Sequence, residues 1–572
     1  MQKNNSKKVR FKGFEGISTP TIQSKEPGIY DINNFSISSD GSLTKRCGFQ
    51  CLHEFSQDIR DIWSGVIDGV FKYVFIVGSS VFSIEDQNIH SPKKIATLST
   101  NAGSAQIFYY ENSLFILDSS GLYSLSDDGI SPVIGYIPLY GKNWGTTHPG
   151  EINEPLNLLN RYARISYIAP ANYTAMLPTK HPVKQIISVY RNGNLVPTSN
   201  YGYDDELRFI SLPEIRENDI IQVTVLFDID LSDKGLGECT HASAFGDANN
   251  SRLLMWSDQK NVMFPSRYVL WADYELSKAA LPESSRIYFP ENNSFFIGDG
   301  RYKPRAVTRH YDRLLIFTEG DAWMASSGDL GTSDMPVMSI NSSIGCASTL
   351  GSVLSGNSPF TVGHHDIFEW TSDTDELNEC NAVSISTPIN DRLSDEFFKN
   401  ATVFKDVYKN ELWFHNKNVS SDVWIYNVPK RAWVRFSEIH ADKFFDANGS
   451  VGFIRGGNMY IFFSSNYMDQ REDLNLTEIH ASITTGNLDF GSSDLKRLSS
   501  YMIDTDLNRG TIEVSFLSDN DKTITDTISA SKPRILRQRR LHSERFSYLK
   551  SVTLTDRAYS RPLIRDLEIV AR

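Results

Sequence analysis

The sequence is poor in the features that would mark an enzyme, a secreted scaffold or a membrane protein. Its five cysteines, at 47, 51, 239, 346 and 380, are too few and too scattered among 572 residues for a disulfide framework. The odd count leaves at least one of them unpaired within a monomer, so reduced thiols are expected. No apolar run approaches the ~18 residues that a membrane span needs. The start, Met1-Gln-Lys-Asn-Asn-Ser-Lys-Lys8, lacks the apolar core of a signal peptide, which predicts synthesis and folding in a cytoplasm and no membrane insertion. Basic residues are outnumbered, 57 against 69 acidic, and the net charge of −12 argues against a chain that grips nucleic acid over its whole surface. An acidic or neutral wall along which DNA slides without being held remains compatible with that charge.

The usual motifs of catalysis are missing as well. There is no Gly-x-Ser-x-Gly elbow, no His-Glu-x-x-His and no Gly-x-Gly-x-x-Gly. Gly135-Tyr-Ile-Pro-Leu-Tyr-Gly141-Lys142 has five residues between its glycines where a phosphate loop has four, and Asn143 stands where Ser or Thr would bind magnesium. Cys47-x-x-x-Cys51-x-His53 is half of a zinc site with no second pair at a useful spacing. His364-His365-Asp366 falls at an expected hairpin turn, where polar residues are ordinary. Ser126-Asp-Asp-Gly129 is out of phase with the sialidase turn, and among 69 acidic residues close carboxylate pairs are inevitable. We therefore expect no catalytic residue, no cofactor and no metal, and a protein that is not an enzyme.

What the chain does have is β-structure. Aromatic residues make up 12% of it and apolar residues 40%, enough to bury strands. A short apolar strand, a tight polar turn and a second strand recur. Lys72-Tyr-Val-Phe-Ile-Val77 precedes Val81-Phe-Ser-Ile84, and Asn112-Ser-Leu-Phe-Ile-Leu117 precedes Leu122-Tyr-Ser-Leu125. Similar runs start at Leu253, Leu314, Phe360, Leu412 and Met459, the last four spaced by 46, 52 and 47 residues. Repeats of ~40–50 residues that each hold a few strands suit propeller blades. Seven such runs predict a β-propeller of six to eight blades, with unrelated β-meanders in two sandwiches as the alternative.

The pattern breaks near residues 160–229, where Gln185–Tyr190, the turn Arg191-Asn192-Gly193-Asn194 and Ile220–Leu226 predict an inserted β-sandwich. The alternating segment Gly510–Phe516 predicts a C-terminal β-domain. The expected organisation is all-β: an N-terminal arm and first strands at 1–50, propeller at 51–150, insert at 151–230, propeller at 231–474 and C-terminal β-domain at 475–572. The densest basic stretch is Lys532-Pro-Arg534-Ile-Leu-Arg537-Gln-Arg539-Arg540, followed by His542 and Arg545. It reads either as a solvated strand face or as a surface for an acidic partner.

Several segments resemble one family in order along the chain. Gly16-Ile-Ser-Thr, Glu26-Pro-Gly28-Ile-Tyr-Asp31-Ile-Asn33-Asn34 and Gly41-Ser-Leu-Thr-Lys45-Arg46-Cys-Gly48-Phe49 open the chain. Tyr136-Ile-Pro138, Gly150, Glu154 and Asn157-Leu-Leu159 come next, then Asn250-Ser-Arg252-Leu, Val262-Met-Phe-Pro-Ser266, Ile344-Gly-Cys346, Thr485-Gly-Asn-Leu-Asp-Phe490-Gly491 and Lys496-Arg497. Together they resemble the tail nozzle and DNA-stabilisation proteins of bacteriophages, the group that includes tail tubular protein B. Cys47 departs from the proline more common before that glycine.

The resemblance implies a virion structural protein of the viral tail. It implies a homohexameric ring that extends the portal–adaptor channel, retains packaged DNA and conducts it during DNA ejection. The partners implied are other copies of the chain, the tail adaptor protein, tail fibre or spike proteins, and genomic double-stranded DNA in transit. On this reading Arg534, Arg537, Arg539 and Arg540 are the candidate docking residues, facing a neighbouring subunit or the adaptor. A glycan-binding propeller adhesin at the tail tip is the other reading, in which Trp370, Trp413 and Trp433 would stack on sugars unless they lie in the core.

Overall fold

The structure is a computed structural model that describes residues 6–18, 28–126, 129–146, 150–171, 176–246, 251–310, 313–326, 336–371, 381–465, 467–470, 475–507, 510–529, 534–541, 543–556 and 562–572, with the backbone alone for 534–538. Cys380, Glu26, Pro27, Asn250, Lys532, Pro533 and His542 lie outside the described residues. The described chain is mostly β-strand, with many four-stranded antiparallel sheets. Among the described residues two short α-helices, Trp271–Lys278 and Asp395–Asn400, interrupt the strands, and neither is long and apolar enough to cross a membrane.

Each of the seven apolar runs of the sequence is an inner strand of a sheet. Val70–Val77 and Ser113–Asp118 lie second in four-stranded sheets, and Arg252–Ser257 lies in the middle of a three-stranded one. Arg313–Thr318, Ser358–Val362 and Glu411–His415 are again second strands. Asn458–Phe463 is flanked by Val451–Arg455 and by Gly48–Glu54 from the start of the chain. An inner strand is covered on both sides and on both faces, so its side chains can be apolar without alternation. Arg313–Thr318 shows this, with every residue after Arg313 buried. The outer strands, such as Lys93–Thr97, are polar and left no comparable mark on the sequence.

The chain divides into two compact units. The first comprises Met1–Val77, Ser83–Lys93 and Ile344–Arg572, and the second Gly78–Phe82 and Lys94–Ser343. In the first, the strands near the N-terminus are not a separate arm. Lys7–Lys12 pairs with Leu563–Ala571 over six residues, and Leu43–Lys45 pairs with the same strand. Ile29–Asn33 runs antiparallel to Ala481–Thr485 and makes a parallel bridge to Ala432–Phe436. It thereby joins the four-stranded sheet of residues 402–436 to the C-terminal strands in a continuous nine-stranded sheet. That sheet and a six-stranded sheet containing Leu498–Asp506 share a core that runs from Phe11 and Ile32 to Trp413, Val514 and Ile569. In Thr511–Ser518 every second residue is buried, the period expected of a strand with one face in that core.

In the second unit, a five-stranded sheet takes the order Leu139–Trp144, Tyr162–Ile168, Ile220–Phe227, Val183–Arg191, Asn194–Leu195. With a three-stranded sheet of Met176–Pro178, Phe209–Ser211 and Gly202–Asp204, it encloses a core that includes Trp144, Tyr167, Val189, Ile210 and Val223. The turn at Asn192-Gly193 has positive φ at both residues, 50° and 79°, the type that suits a two-residue hairpin. The sheet begins at Leu139, before the expected boundary at 151, because Leu139–Trp144 pairs in parallel with Tyr162–Ile168.

Glu411–His415 shows what the first unit's core demands of a polar residue. His415 is almost wholly buried, its Nε2–H donates to the Ala441 carbonyl at 2.8 Å, and its Nδ1 accepts from Thr402 Oγ1 at 2.6 Å. Burial pushes its pKa down to about 4, and the Ala441 carbonyl opposes that only in part. An unfolded histidine titrates near ~6.5, so below that pH the unfolded chain takes up a proton that the folded chain refuses. Stability should therefore fall by about 3 kcal/mol as pH drops from about 6.5 to about 4. Denaturation of wild type and His415→Gln across this range should show the variant losing less of its stability. An identical pH slope in the two proteins would contradict the assignment.

Candidate functional site

The N-terminal segment Gly41–Gly48, one of the stretches that carry the resemblance, is tied to distant parts of the chain. Gly41 turns the chain with φ +83°, where a Cβ would come within 3.0 Å of Gly13 Cα. Asp40 Oδ1 closes the same turn by accepting from Ser42 N at 3.0 Å and Ser42 Oγ at 2.6 Å. Successive residues of the extended chain that follows point to opposite sides. Lys45 points one way and forms an ion pair of 2.8 Å with Asp556, both side chains being 1% exposed.

Arg46 points the other way and makes a bidentate pair with Asp469, at 2.8 and 2.5 Å. Its Nε donates to Asn34 Oδ1 at 2.8 Å, and its remaining N–H groups reach the carbonyls of Cys47 and Ser437. All five guanidinium donors are thus used. Asn34 sits at φ 57° and donates to Ser437 Oγ and the His480 carbonyl. Gly48 is required by contact, since a Cβ there would lie 2.0 Å from the Met468 carbonyl oxygen.

These residues border a cavity of about 940 Å³, whose lining includes Asn33, Arg46, His440, Asp469 and His480. Arg46 has no donor left for a ligand in that space, so its charge is committed to holding the chain. Sequence reasoning singled out Lys45, Arg46 and Gly48 but missed Asp469 and Asp556, which carry no local motif.

The basic stretch forms the strand Arg534–Arg540, the end strand of the six-stranded sheet, bonded among the described residues to Leu498–Asp506 alone. Arg539 lies opposite Tyr501 and Arg540 opposite Ser500, so alternation puts these two arginines on opposite faces, while the side chains of Arg534 and Arg537 lie outside what is described. Arg539 turns towards Asp526, at 3.5 Å, on Thr523–Ser529 of the nine-stranded sheet, and Tyr501 donates to the same carboxylate at 2.7 Å. Arg540 is exposed. Charged residues on an end strand also discourage edge-to-edge pairing.

In the second unit, the segment Tyr136–Leu159 resolves into buried hydrogen bonds. Asn157 donates to the carbonyls of Tyr136 and Ile287 and accepts from the backbone of Leu159 and Phe289. Glu154 accepts from Tyr136 Oη at 3.0 Å and from the Leu139 amide, while Arg164 donates to Tyr136 Oη and lies over its ring. Burial raises the Glu154 pKa, against the hydrogen bonds and Arg164, which lower it.

Asp366 accepts from Ser384 and Ser386, and His364 and His365 are exposed, His365 lying 3.4 Å from Asp395. Cys51 donates to the His53 carbonyl and His53 contacts that of Ile89, and the four described cysteines are free thiols. Trp370, Trp413 and Trp433 are all buried, so they cannot present faces to a sugar. Their positions on inner and neighbouring strands put them in the core.

No protein-family model matches the chain, and no characterised protein matches its sequence. Among solved structures, the CNH domain of AfRom2 is 8% identical with a TM-score of 0.37, covering 73% of this chain and 100% of that one. The exo-β-1,3-galactanase of Phanerochaete chrysosporium is 8% identical with a TM-score of 0.22, covering 89% of this chain and 95% of that one. Scores this low bear on neither fold nor function.

Asp469→Ala should leave the Arg46 charge buried without its carboxylate and cost about 3–5 kcal/mol. Adding Arg46→Met should restore more than half of the loss. Denaturation followed by the fluorescence of Trp413, Trp424 and Trp433, all in this unit, measures both. A single-variant loss below about 1 kcal/mol would contradict the lock.

Proposed function

We propose that this chain is a subunit of a bacteriophage tail nozzle, a six-membered ring that extends the portal–adaptor channel, holds the packaged genome and conducts it at ejection. The observation that carries this reading is the N-terminal resemblance together with the work its residues do. Gly41, Lys45, Arg46 and Gly48 each meet a steric or electrostatic demand of this fold. The shared residues are therefore those that specify how the chain's beginning is built in.

The small antiparallel sheets are read as propeller blades. Support comes from their size and from the strand Gly48–Glu54, which adds to the sheet of residues 443–463 although it comes from the start of the chain, as the closing blade of a propeller requires. A wall of such sheets suits a mechanical task, because strands bonded on both sides resist deformation. The formal charge of −12 per chain suits a surface past which DNA moves without adhering. The partners proposed are further copies of this chain, the tail adaptor, and fibre or spike proteins.

Within this reading the strand Arg534–Arg540 meets a neighbouring subunit or the adaptor, through Arg534, Arg537 and Arg540. Arg539 is set apart because its pairing with Asp526 mixes docking with folding. Charge reversal at Arg540, which is exposed, should leave the monomer folded and abolish rings in virions produced by complementation. Normal virions from that variant would refute the docking assignment.

A further inference from the structure

The helix Trp271–Lys278 is turned the wrong way round for an ordinary surface helix. Its most buried residue is Ser277, whose Oγ accepts from the Ile137 amide at 2.7 Å, while Trp271 is 62% and Leu276 57% exposed. Surface helices normally bury the apolar side. The Trp271 ring is nevertheless held in place. The Arg286 guanidinium lies 5.8 Å from its centroid and 5.1 Å from that of Tyr268, and the Tyr274 ring is 5.3 Å away. Arg286 is itself fixed by donating to the Val269 carbonyl at 2.7 Å. An exposed aromatic ring fixed by its neighbours offers a binding face with little entropy left to lose.

Beside this helix lies a cavity of about 160 Å³, lined by Tyr136, Glu154, Arg267, Tyr268, Asp273 and Tyr288 among others. Arg267 also lines a second cavity of about 400 Å³, together with Asn153, Glu291 and Asn292. Among the described residues the Asp273 carboxylate has no hydrogen-bond or ion-pair partner, and Glu154 retains acceptor capacity beyond its bonds to Tyr136 and Leu139.

The charges of the lining select the ligand class. Arg267 opposes a cation, and Glu154 with Asp273 opposes an anion. A neutral molecule with many hydroxyls satisfies both, donating to the carboxylates and accepting from the guanidinium, while its C–H face rests on the half-buried Tyr268 ring. We propose that this pair of cavities is a binding site for a neutral saccharide. One ring occupies the smaller cavity against Tyr268, a second extends past Arg267, and Trp271, held beside Tyr268 by Arg286, is the exposed ring next to it.

The test is titration calorimetry of the full chain with maltose, cellobiose, lactose and N,N′-diacetylchitobiose, and with glucuronate and glucosamine as charged comparisons. At least one neutral disaccharide should bind saturably, with a Kd of about 0.1–1 mM. Asp273→Ala and Trp271→Ala should each weaken it about tenfold or more with an unchanged thermal midpoint. No saturable binding of any of the four, binding that survives both substitutions, or a preference for the charged sugars would each overturn the proposal. None of these results would bear on the nozzle reading, which does not depend on this site.

Discussion

Two adjacent cations buried on opposite sides of one short segment set the terms for the rest of the first unit. Lys45 and Arg46 cannot be taken out of water unless each meets a carboxylate, because an unpaired buried charge costs several kcal/mol. Neither carboxylate is local. Asp469 is 423 residues further on, and Asp556 lies near the other end of the chain. The beginning of the chain therefore cannot settle until its distant strands are in place. The pairings of Lys7–Lys12 and Ile29–Asn33 with C-terminal strands follow from the same closure. Such pairs specify one arrangement more than they stabilise it, since apolar residues of similar volume would cost less to bury. Gly48 adds a steric condition to the electrostatic one, by admitting the Met468 carbonyl where any side chain would collide.

The sequence made the inner strands legible because burial on both sides leaves a continuous apolar run, as in Tyr73–Val77 and Leu314–Phe317. It hid the outer strands, whose composition resembles that of loops. It hid the interleaving of the two chain ends too, because strand pairing across hundreds of residues leaves no periodic trace in either partner. The Asn192-Gly193 turn was readable from its chemistry alone, since few residues other than Asn and Gly accept positive φ in succession. The start of the surrounding sheet at Leu139 was not, because a parallel partner reached through a long connection has no turn signal.

For the candidate sites, residue identity was legible and role was not. The motif Lys45-Arg46-Cys-Gly48 stood out, but nothing nearby announces that Asp469 and Asp556 answer it. Arg539 and Arg540, neighbours in what looks like one patch in the sequence, lie on opposite faces of an end strand, and Arg539 is drawn to Asp526 of the neighbouring sheet. The tryptophans that looked available for sugar stacking are core residues. The exposed one, Trp271, sits in a helix with no recognisable motif and is picked out by the arginine and tyrosine that hold its ring.

The proposed role in the tail asks for a rigid, net acidic body whose two chain ends are tied into one core, and the first unit provides the tie in Lys45 and Arg46. Cryo-electron microscopy of virions in which this chain carries a small surface label tests the central claim most directly. The nozzle reading predicts six labels in a ring coaxial with the portal, below the adaptor. Label found only on peripheral appendages, or absent from the tail, would contradict it.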